Sequence, residues 1–320
     1  MTEASHLQSD GRPPCSPSIS ATPFGIVVIG RNEGDRLRIC LTSVLRQTDR
    51  IVYVDSGSSD GSVALADTLH IQTVVLTADA TFTAARARNA GVAKLTALWP
   101  DLAFVQFIDG DCELDPDWIA TAIAAMTTRS DLAAICGRRR ERFPEHSIYN
   151  RLCDIEWDAP PGETESCGGD ALMRIGAFAT AGGFTDHLIA GEEADLCHRF
   201  RRHGWHIMRL PAEMTLHDVA MTRVSQWWRR NQRSGHAGAE AWHRRGGEDR
   251  RLFKPLMSNL LWALPILWPL WPFLWWRVFR RFGALYATHI VLGKLPHCAG
   301  QVNFWWSRLR ARRVTLIEYK

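Results

Sequence analysis

Phe104-Val105-Gln106-Phe107-Ile108-Asp109-Gly110-Asp111 is a short run of aromatic and β-branched residues that ends in two carboxylates one residue apart. The run reads as a buried strand. Asp109 and Asp111 then stand at a rigid strand end, where hard oxygen ligands suit Mg²⁺ or Mn²⁺. Three earlier runs, Ile26 to Ile29, Ile51 to Val54 and Ile71 to Leu76, also read as strands, with helical patterns between them. The first helical pattern carries Leu37, Leu41, Val44 and Leu45 on one face. This alternation predicts an α/β fold with a mostly parallel sheet and flanking helices.

Ligands of such sheets bind at the carboxyl ends of the strands. Those ends are polar here: Arg31-Asn32-Glu33, Asp55-Ser56-Gly57-Ser58-Ser59-Asp60-Gly61 and Asp109-Gly110-Asp111. Asp55 is placed to accept a hydrogen bond from a base ring N–H, and Gly57 lets the backbone approach a ligand closely. Asp60 reads as the N-cap of the next helix. No GxGxxG follows the first strand and no Walker A loop occurs, which argues against a dinucleotide fold and a phosphate-loop enzyme.

Further along, Gly191-Glu192-Glu193-Ala194-Asp195-Leu196 opens a helix whose first-turn acids suit the helix dipole. One of them, Glu193 or Glu192, is also of the type needed to take a proton from an acceptor hydroxyl. His217, in Leu216-His217-Asp218, is either a structural histidine or a metal ligand.

Taken in order, these segments resemble the inverting family 2 glycosyltransferases of the GT-A fold, of the bacterial cell-surface polysaccharide type. The resemblance rests on Val28-Ile29-Gly30-Arg31-Asn32-Glu33, Ser43 to Thr48, Asp55 to Gly61, Ala87-Arg88-Asn89-Ala90-Gly91, Asp109-Gly110-Asp111, Gly182-Gly183-Phe184 and the Glu192-Glu193 pair with Asp195, Leu196 and Arg199. It implies transfer of a sugar from a nucleoside diphosphate sugar held by the first strand ends, with Arg88 and Asn89 near the donor. It further implies Glu193 as catalytic base, Asp111 as principal metal ligand, Asp109 as a metal or ribose contact, and His217 as a further ligand. The family's acidic pair is usually Glu-Asp, so Glu193 reaches one methylene further and Glu192 is the alternative base. Processive members carry Gln-x-x-Arg-Trp; here Gln226-Trp227-Trp228-Arg229 is followed by Arg230, which implies one sugar per acceptor. The competing classes are a nucleotidyltransferase and a non-catalytic membrane scaffold with a degenerate sugar-transferase fold.

Charge divides the chain. Up to Thr222 there are 20 Lys and Arg against 30 Asp and Glu; from Arg223 onward there are 18 against 4. Ten of the 14 tryptophans follow Arg223. Pro255 to Trp276 is a stretch of 22 uncharged residues, about 33 Å long as a helix. It is interrupted by Pro265, Pro269 and Pro272 and flanked by Arg on both sides. This composition points to a membrane surface rather than nucleic acid, with monotopic or re-entrant attachment preferred to a single pass.

The expected organisation is a disordered leader over 1–23, a catalytic domain over 24–221, a linking helix within 222–251 and a hydrophobic, basic membrane-associated region over 252–320. A lipid-linked or glycan acceptor follows from such an anchor. The eight cysteines show no metal or disulfide spacing, and Cys40 and Cys136 read as small core residues. No secretory signal is apparent, which places the expected site of action at the cytoplasmic face of a membrane.

Overall fold

The computed structural model describes residues 22–310 except 79 and 248. The leader expected over 1–23 and the end of the tail therefore fall almost wholly outside the described residues. The chain runs β1 (Phe24–Gly30), α1 (Asp35–Leu45), β2 (Ile51–Asp55), α2 (Ser62–Thr68), β3 (Gln72–Val75), α3 (Ala84–Leu98), β4 (Phe104–Asp109) and β5 (Cys112–Leu114). It continues with α4 (Trp118–Thr128), β6 (Leu132–Glu141), α5 (Ile148–Trp157), β7 (Gly162–Glu163), β8 (Ala171–Arg174), α6 (Ile175–Thr180), α7 (Glu192–Arg202) and β9 (His206–His217). Four helices close the described chain: α8 (Val224–Arg244), α9 (Arg250–Ala263), α10 (Trp271–Leu292) and α11 (Lys294–Leu309).

The strands form one sheet in the order β3-β2-β1-β4-β8-β6-β9-β5, with β7 paired to β9. Its first four strands are parallel, as the apolar runs predict, and their carboxyl ends are level: Gly30 is opposite Asp55, and Ile29 opposite Asp109. The other half of the sheet is mixed. Four-residue β8 lies antiparallel to both β4 and β6, β6 and β9 are parallel, and β5 runs against β9. Helices still separate these strands along the chain, α4 before β6, α5 after it and α6 and α7 before β9, so the sheet stays flanked by helices.

The burial of α1 follows its pattern at Leu37, Cys40, Leu41 and Val44, while Leu45 turns out to be exposed. Cys40 and Cys136 are fully buried, and the described cysteines are all free thiols. Helix α3 lies directly on β1 and β2 because Gly91 has no side chain. A Cβ there would stand 2.3 Å from Val27 Cγ1 and 3.1 Å from Val54 Cγ2.

Asp60 does not cap α2 itself; the cap is Gly61, in the left-handed region. Asp60 stands one residue earlier. Its carboxylate accepts from Ser62 N and Oγ at 3.1 and 2.6 Å and from Gly34 N at 2.9 Å, tying the loop after β2 to that after β1.

The C-terminal helices dock through a buried polar chain. Trp227 Nε1 donates to His289 Nδ1 at 2.9 Å, which leaves the proton on Nε2 to meet Glu156 Oε1 at 2.8 Å. Arg230 holds the other oxygen of Glu156 at 2.6 Å. Helices α8 and α11 cross with backbone against backbone, since a Cβ on Gly235 would lie 2.1 Å from His297 O and one on Gly300 2.0 Å from Gln232 O.

The uncharged stretch is broken where prolines dictate. Leu264, forced out of the helical region by Pro265, is extended at φ −67° and ψ 128°, and Pro265–Leu270 form a 3-10 turn. No single helix among the described residues is long and apolar enough to cross a membrane. The segments Arg251–Ala263 and Pro265–Leu309 meet instead at a bend of 98°. Large apolar side chains stand exposed along them, among them Leu264, Ile266, Phe273, Trp276, Phe279 and Phe282.

Two outcomes test this packing. Gly91→Ala is expected to lower stability in denaturant titrations by about 1–3 kcal/mol, the cost of overpacking a full core. Acid is expected to loosen the docked helices. Burial pushes the Glu156 carboxyl up, but the His289 hydrogen bond and the Arg230 charge outweigh it and hold the pKa at about 2, below the ordinary 4.5. Its contribution, roughly 3 kcal/mol, is full above pH 4.5 and lost as pH falls toward 2. Burial also holds His236 at about 4, so stability already begins to fall below pH 6.5, its ordinary value. Glu156→Gln should shrink the lower part of that acid transition in tryptophan fluorescence.

Candidate active site

The level ends of β1, β2 and β4 open into a cleft of ≈ 660 Å³, within the range of about 300–1,000 Å³ usual for small-molecule sites. It is lined by Arg31, Asn32, Glu33, Arg36, Ser56 and Phe82 together with Asp109, Asp111, Glu192, Glu193 and His217. Arg88 lines it from α3 and Arg233 from α8.

Of the expected donor contacts, Arg31, Asn32, Glu33, Arg88 and Asp109 face this cleft, and three others do not. The Asp55 carboxylate is buried and accepts from Tyr53 Oη at 2.9 Å, Gly57 N at 2.9 Å and Ser58 N at 2.8 Å. It shapes its own loop. Gly57, at φ +80°, is covered by the Phe82 ring, only 3.1 Å from where a Cβ would be. Asn89 points toward the 184–186 segment, taking Phe184 N at 2.9 Å and giving its amide to Phe184 O at 2.8 Å and Asp186 Oδ1 at 2.6 Å. Two sequence motifs that looked independent, Arg88-Asn89 and Gly182-Gly183-Phe184, are thus one clamp. Phe184 in turn packs edge-on against Phe107 and lies 5.5 Å beneath the Arg88 guanidinium.

Asn32, in the left-handed region at φ 55°, joins the first two loops. Its Oδ1 accepts from Ser59 N at 2.8 Å, and its own N donates to Ser58 Oγ at 2.9 Å. Glu33 pairs with Arg36 at 2.8 Å, while Arg36 Nη1 donates to Asp218 O at 3.2 Å. The loops after β1 and β2 are therefore braced against each other, and Arg36 ties the first of them to the segment after β9.

The two aspartates of the strand-end motif part company. Asp109 Oδ1 receives Arg88 Nη2 at 2.8 Å, and Arg139 Nη2 stands 3.9 Å from Oδ2. Burial raises the Asp109 pKa, but Arg88 and Arg139 overcome that and hold it below the ordinary value. Asp111 is buried on the other side, with Oδ2 3.1 Å from His217 Nε2. Sheet pairing sets this approach, for Cys112 is opposite His217 between β5 and β9.

A divalent cation fits here. Ligand atoms of Asp111, Cys112 and His217 all lie within 4.8 Å of one another, and His217 Nδ1 is buried with no hydrogen-bond partner. Cys112 Sγ donates to Asp170 Oδ2 at 3.3 Å, so the donors that remain are a carboxylate oxygen and an imidazole nitrogen, a set suited to Mn²⁺ or Mg²⁺.

The acidic pair also divides. Glu192 is buried and bound by Arg88 Nη1 at 2.7 Å. Glu193 has no salt bridge among the described residues, and its carboxylate accepts from Ala194 N. Burial and then the neighbouring Glu192 charge push its pKa up. Between the two candidate bases, the one without a guanidinium is Glu193.

Residues that sequence reasoning passed over complete the site. Asp170 and Arg139 form a buried pair at 2.7 Å behind the motif, and the Trp157 ring packs edge-on against His217 at 4.8 Å. Asp170 follows Gly168-Gly169 and looks like one more turn acid. Arg139 is the middle of three consecutive arginines, and nothing in its spacing distinguishes it.

The sheet order, strand-end cleft and paired acids define a GT-A nucleotide-sugar transferase fold. The chain belongs to glycosyl transferase family 2, whose profile matches residues 25–185. It is therefore a glycosyltransferase, and the nucleotidyltransferase alternative falls away. The pre-mycofactocin glycosyltransferase of Mycobacterium tuberculosis (strain CDC 1551 / Oshkosh) is 27% identical over 244 residues, 71% of this chain and 49% of that protein. The chain thus spans about half the length of that curated relative.

Among solved structures, the mannosyltransferase PcManGT from Pyrobaculum calidifontis, in complex with GDP-Man and Mn²⁺, is similar over 92% of this chain and 90% of that one. Its TM-score is 0.60 at 19% identity. S. aureus TarS is similar over 78% of this chain and 47% of that one, at TM-score 0.50 and 12% identity. At these identities the likeness establishes the fold.

The pairing of Arg88 has a measurable consequence. Arg88→Met is expected to destabilise the protein by about 3–5 kcal/mol in denaturant titrations, because it strands Glu192 and Asp109 without their buried partner. Arg88→Lys, which cannot reach both carboxylates in a fork, should recover only part of the loss.

Proposed function

We propose that the protein transfers one sugar, with inversion, from a nucleoside diphosphate sugar to a hydroxyl of a lipid-linked or glycan acceptor, at the cytoplasmic face of a membrane and with Mg²⁺ or Mn²⁺. The observation that carries this reading is the division of labour in the acidic pair. Glu192 neutralises Arg88, whereas Glu193 is a carboxylate of raised proton affinity in the same cleft as Asp111 and His217.

Glu193 takes the proton from the acceptor hydroxyl as its oxygen attacks the anomeric carbon. The bond from that carbon to the diphosphate breaks, and its electron pair leaves with the diphosphate. Asp111 and His217 would hold the divalent cation, which when bound would supply charge neutralisation for that leaving group. The GDP-Man and Mn²⁺ bound by the archaeal mannosyltransferase support both the donor class and the metal. Arg31, Asn32 and Ser56 line the same cleft and are the contacts this reading gives to the nucleotide.

The acceptor and the membrane are read from the C-terminal helices. Exposed aromatic and aliphatic side chains alternate with Arg277, Arg280 and Arg281, and Arg280 lies 5.0 Å over the Trp276 ring, Arg310 4.0 Å over Trp306. Rings paired with cations and grouped on short bent helices suit the headgroup level of an anionic bilayer. Helix α8, packed on α11, brings Arg233 to the cleft, so an acceptor arriving from the membrane meets the catalytic acids beside a positive charge. Arg230 stands where processive members carry the Trp of Gln-x-x-Arg-Trp and is held by Glu156 at 2.6 Å, which supports single rather than repeated addition.

Glu193→Gln is expected to cut donor-dependent transfer by at least about 10²-fold while leaving metal-dependent nucleotide binding intact. Asp111→Ala should lose both. For the parent, kcat/KM should fall with acid around a pKa above the ordinary 4.5 of a glutamate, because the base must be deprotonated. Parental turnover by Glu193→Gln would refute the assignment of the base. Full-length protein should sediment with anionic vesicles, and the triple change Phe273→Ser, Trp276→Ser, Phe279→Ser should release it; unchanged sedimentation would remove the membrane reading.

A further inference from the structure

Asp170 is fully buried, yet nothing in the proposed chemistry uses it. Its carboxylate gathers four groups. Oδ1 accepts from Asp109 N at 3.0 Å, and Oδ2 accepts from Thr215 Oγ1 at 2.9 Å and Cys112 Sγ at 3.3 Å. Arg139 Nη2 lies 2.7 Å from Oδ2.

These partners come from four strands. Asp109 ends β4, Cys112 begins β5 immediately after Asp111, Thr215 precedes His217 by two residues on β9, and Arg139 is on β6. Asp170 itself sits directly before β8, which lies between β4 and β6. One carboxylate therefore touches each piece of backbone that delivers Asp111 or His217.

We propose that Asp170 is the positioning residue of the divalent-cation site, holding Asp111 and His217 at ligating separation and keeping the Arg139 charge away from them. The inference rests on the metal-dependent reading above. Two effects are combined. The first is geometric. A buried carboxylate that accepts from both the strand-end turn and β9 fixes the distance between two ligands that belong to different strands, as outer-shell groups do for metal ligands. Main chain also links the two segments, through the β5–β9 pairing and Asp218 N donating to Asp111 O at 3.0 Å, and the Asp170 carboxylate adds a side-chain tie behind them.

The second is electrostatic. Arg139 stands 3.9 Å from Asp109 and 2.7 Å from Asp170. With Asp170 uncharged, the guanidinium has the motif's own carboxylates as its nearest counterions, and it competes with a cation for them. The Trp157 ring, 5.5 Å from Arg139 and edge-on to His217, leaves the guanidinium little freedom to turn toward solvent.

The test is Mn²⁺ binding to the full-length protein, read from the free-ion EPR signal with no nucleotide or acceptor present. Asp170→Asn is expected to weaken binding by about 10–100-fold, the usual cost of losing an outer-shell partner. Adding Arg139→Gln to Asp170→Asn should restore part of that loss by removing the uncompensated cation, although it restores no hydrogen bond. Thr215→Val keeps the shape of the side chain and leaves Asp170 charged, so it serves if Asp170→Asn does not fold; it should weaken Mn²⁺ binding several-fold at a melting temperature within a few degrees of the parent. Parental affinity in a folded Asp170→Asn, or in Thr215→Val should the former not fold, overturns the inference while leaving the metal reading intact. A parent that binds no Mn²⁺ overturns the metal reading itself.

Discussion

The Arg88 guanidinium is the point on which the cleft depends. It is buried, it lies over the Phe184 ring, and it reaches Glu192 with one nitrogen and Asp109 with the other. These groups come from α3, from the loop between α6 and α7, from the start of α7 and from the end of β4. A buried cation tolerates no unpaired position, and neither do the carboxylates around it. Helices α3 and α7 and strand β4 must therefore meet at one place, and the acids of α7 are fixed over the strand-end motif as a result. The close approach of α3 to the sheet at Gly91 is what puts Arg88 within reach.

The same constraint gives neighbouring acids unlike chemistry. Asp109 and Asp111 differ by two positions, yet one neutralises arginines and the other faces a histidine. Glu192 and Glu193 are adjacent, yet only the first is bound to a guanidinium. Adjacent helix positions point in different directions, which separates Glu192 from Glu193, and Asp111 lies in the turn after β4 rather than in the strand, which separates it from Asp109.

What could be read from the sequence follows from how burial writes itself into residue type. Strands β1, β2 and β4 are covered on both faces and appear as unbroken apolar runs. Strands β6 and β9 were not foreseen: Arg138, Arg139 and Arg140 close the first, while the second carries Pro211 and alternates irregularly between buried and open positions. Charges on these strands are matched by partners far along the chain, which no local pattern records. Glu141 is an example. Its oxygens take Asn150, Phe143 N and Val219 N, securing the segment just beyond His217. Asp55 and Asn89 show the opposite case, for their place in ordered motifs marked them as important while leaving open that they hold loops. The prolines after Leu264 were informative, since each removes a donor and Pro265 constrains the residue before it.

The crossing of α8 and α11 has a mechanical side. Side chains ordinarily act as compressible spacers between helices, absorbing small shifts by changing rotamer. At Gly235 and Gly300 there are none, and main chain rests on main chain. A tilt of α11 is then passed undiminished to α8, and with it to Arg233, two residues from the contact and facing the cleft. The crossing works as a fulcrum, and the orientation of the outer helices becomes a setting of the catalytic chamber.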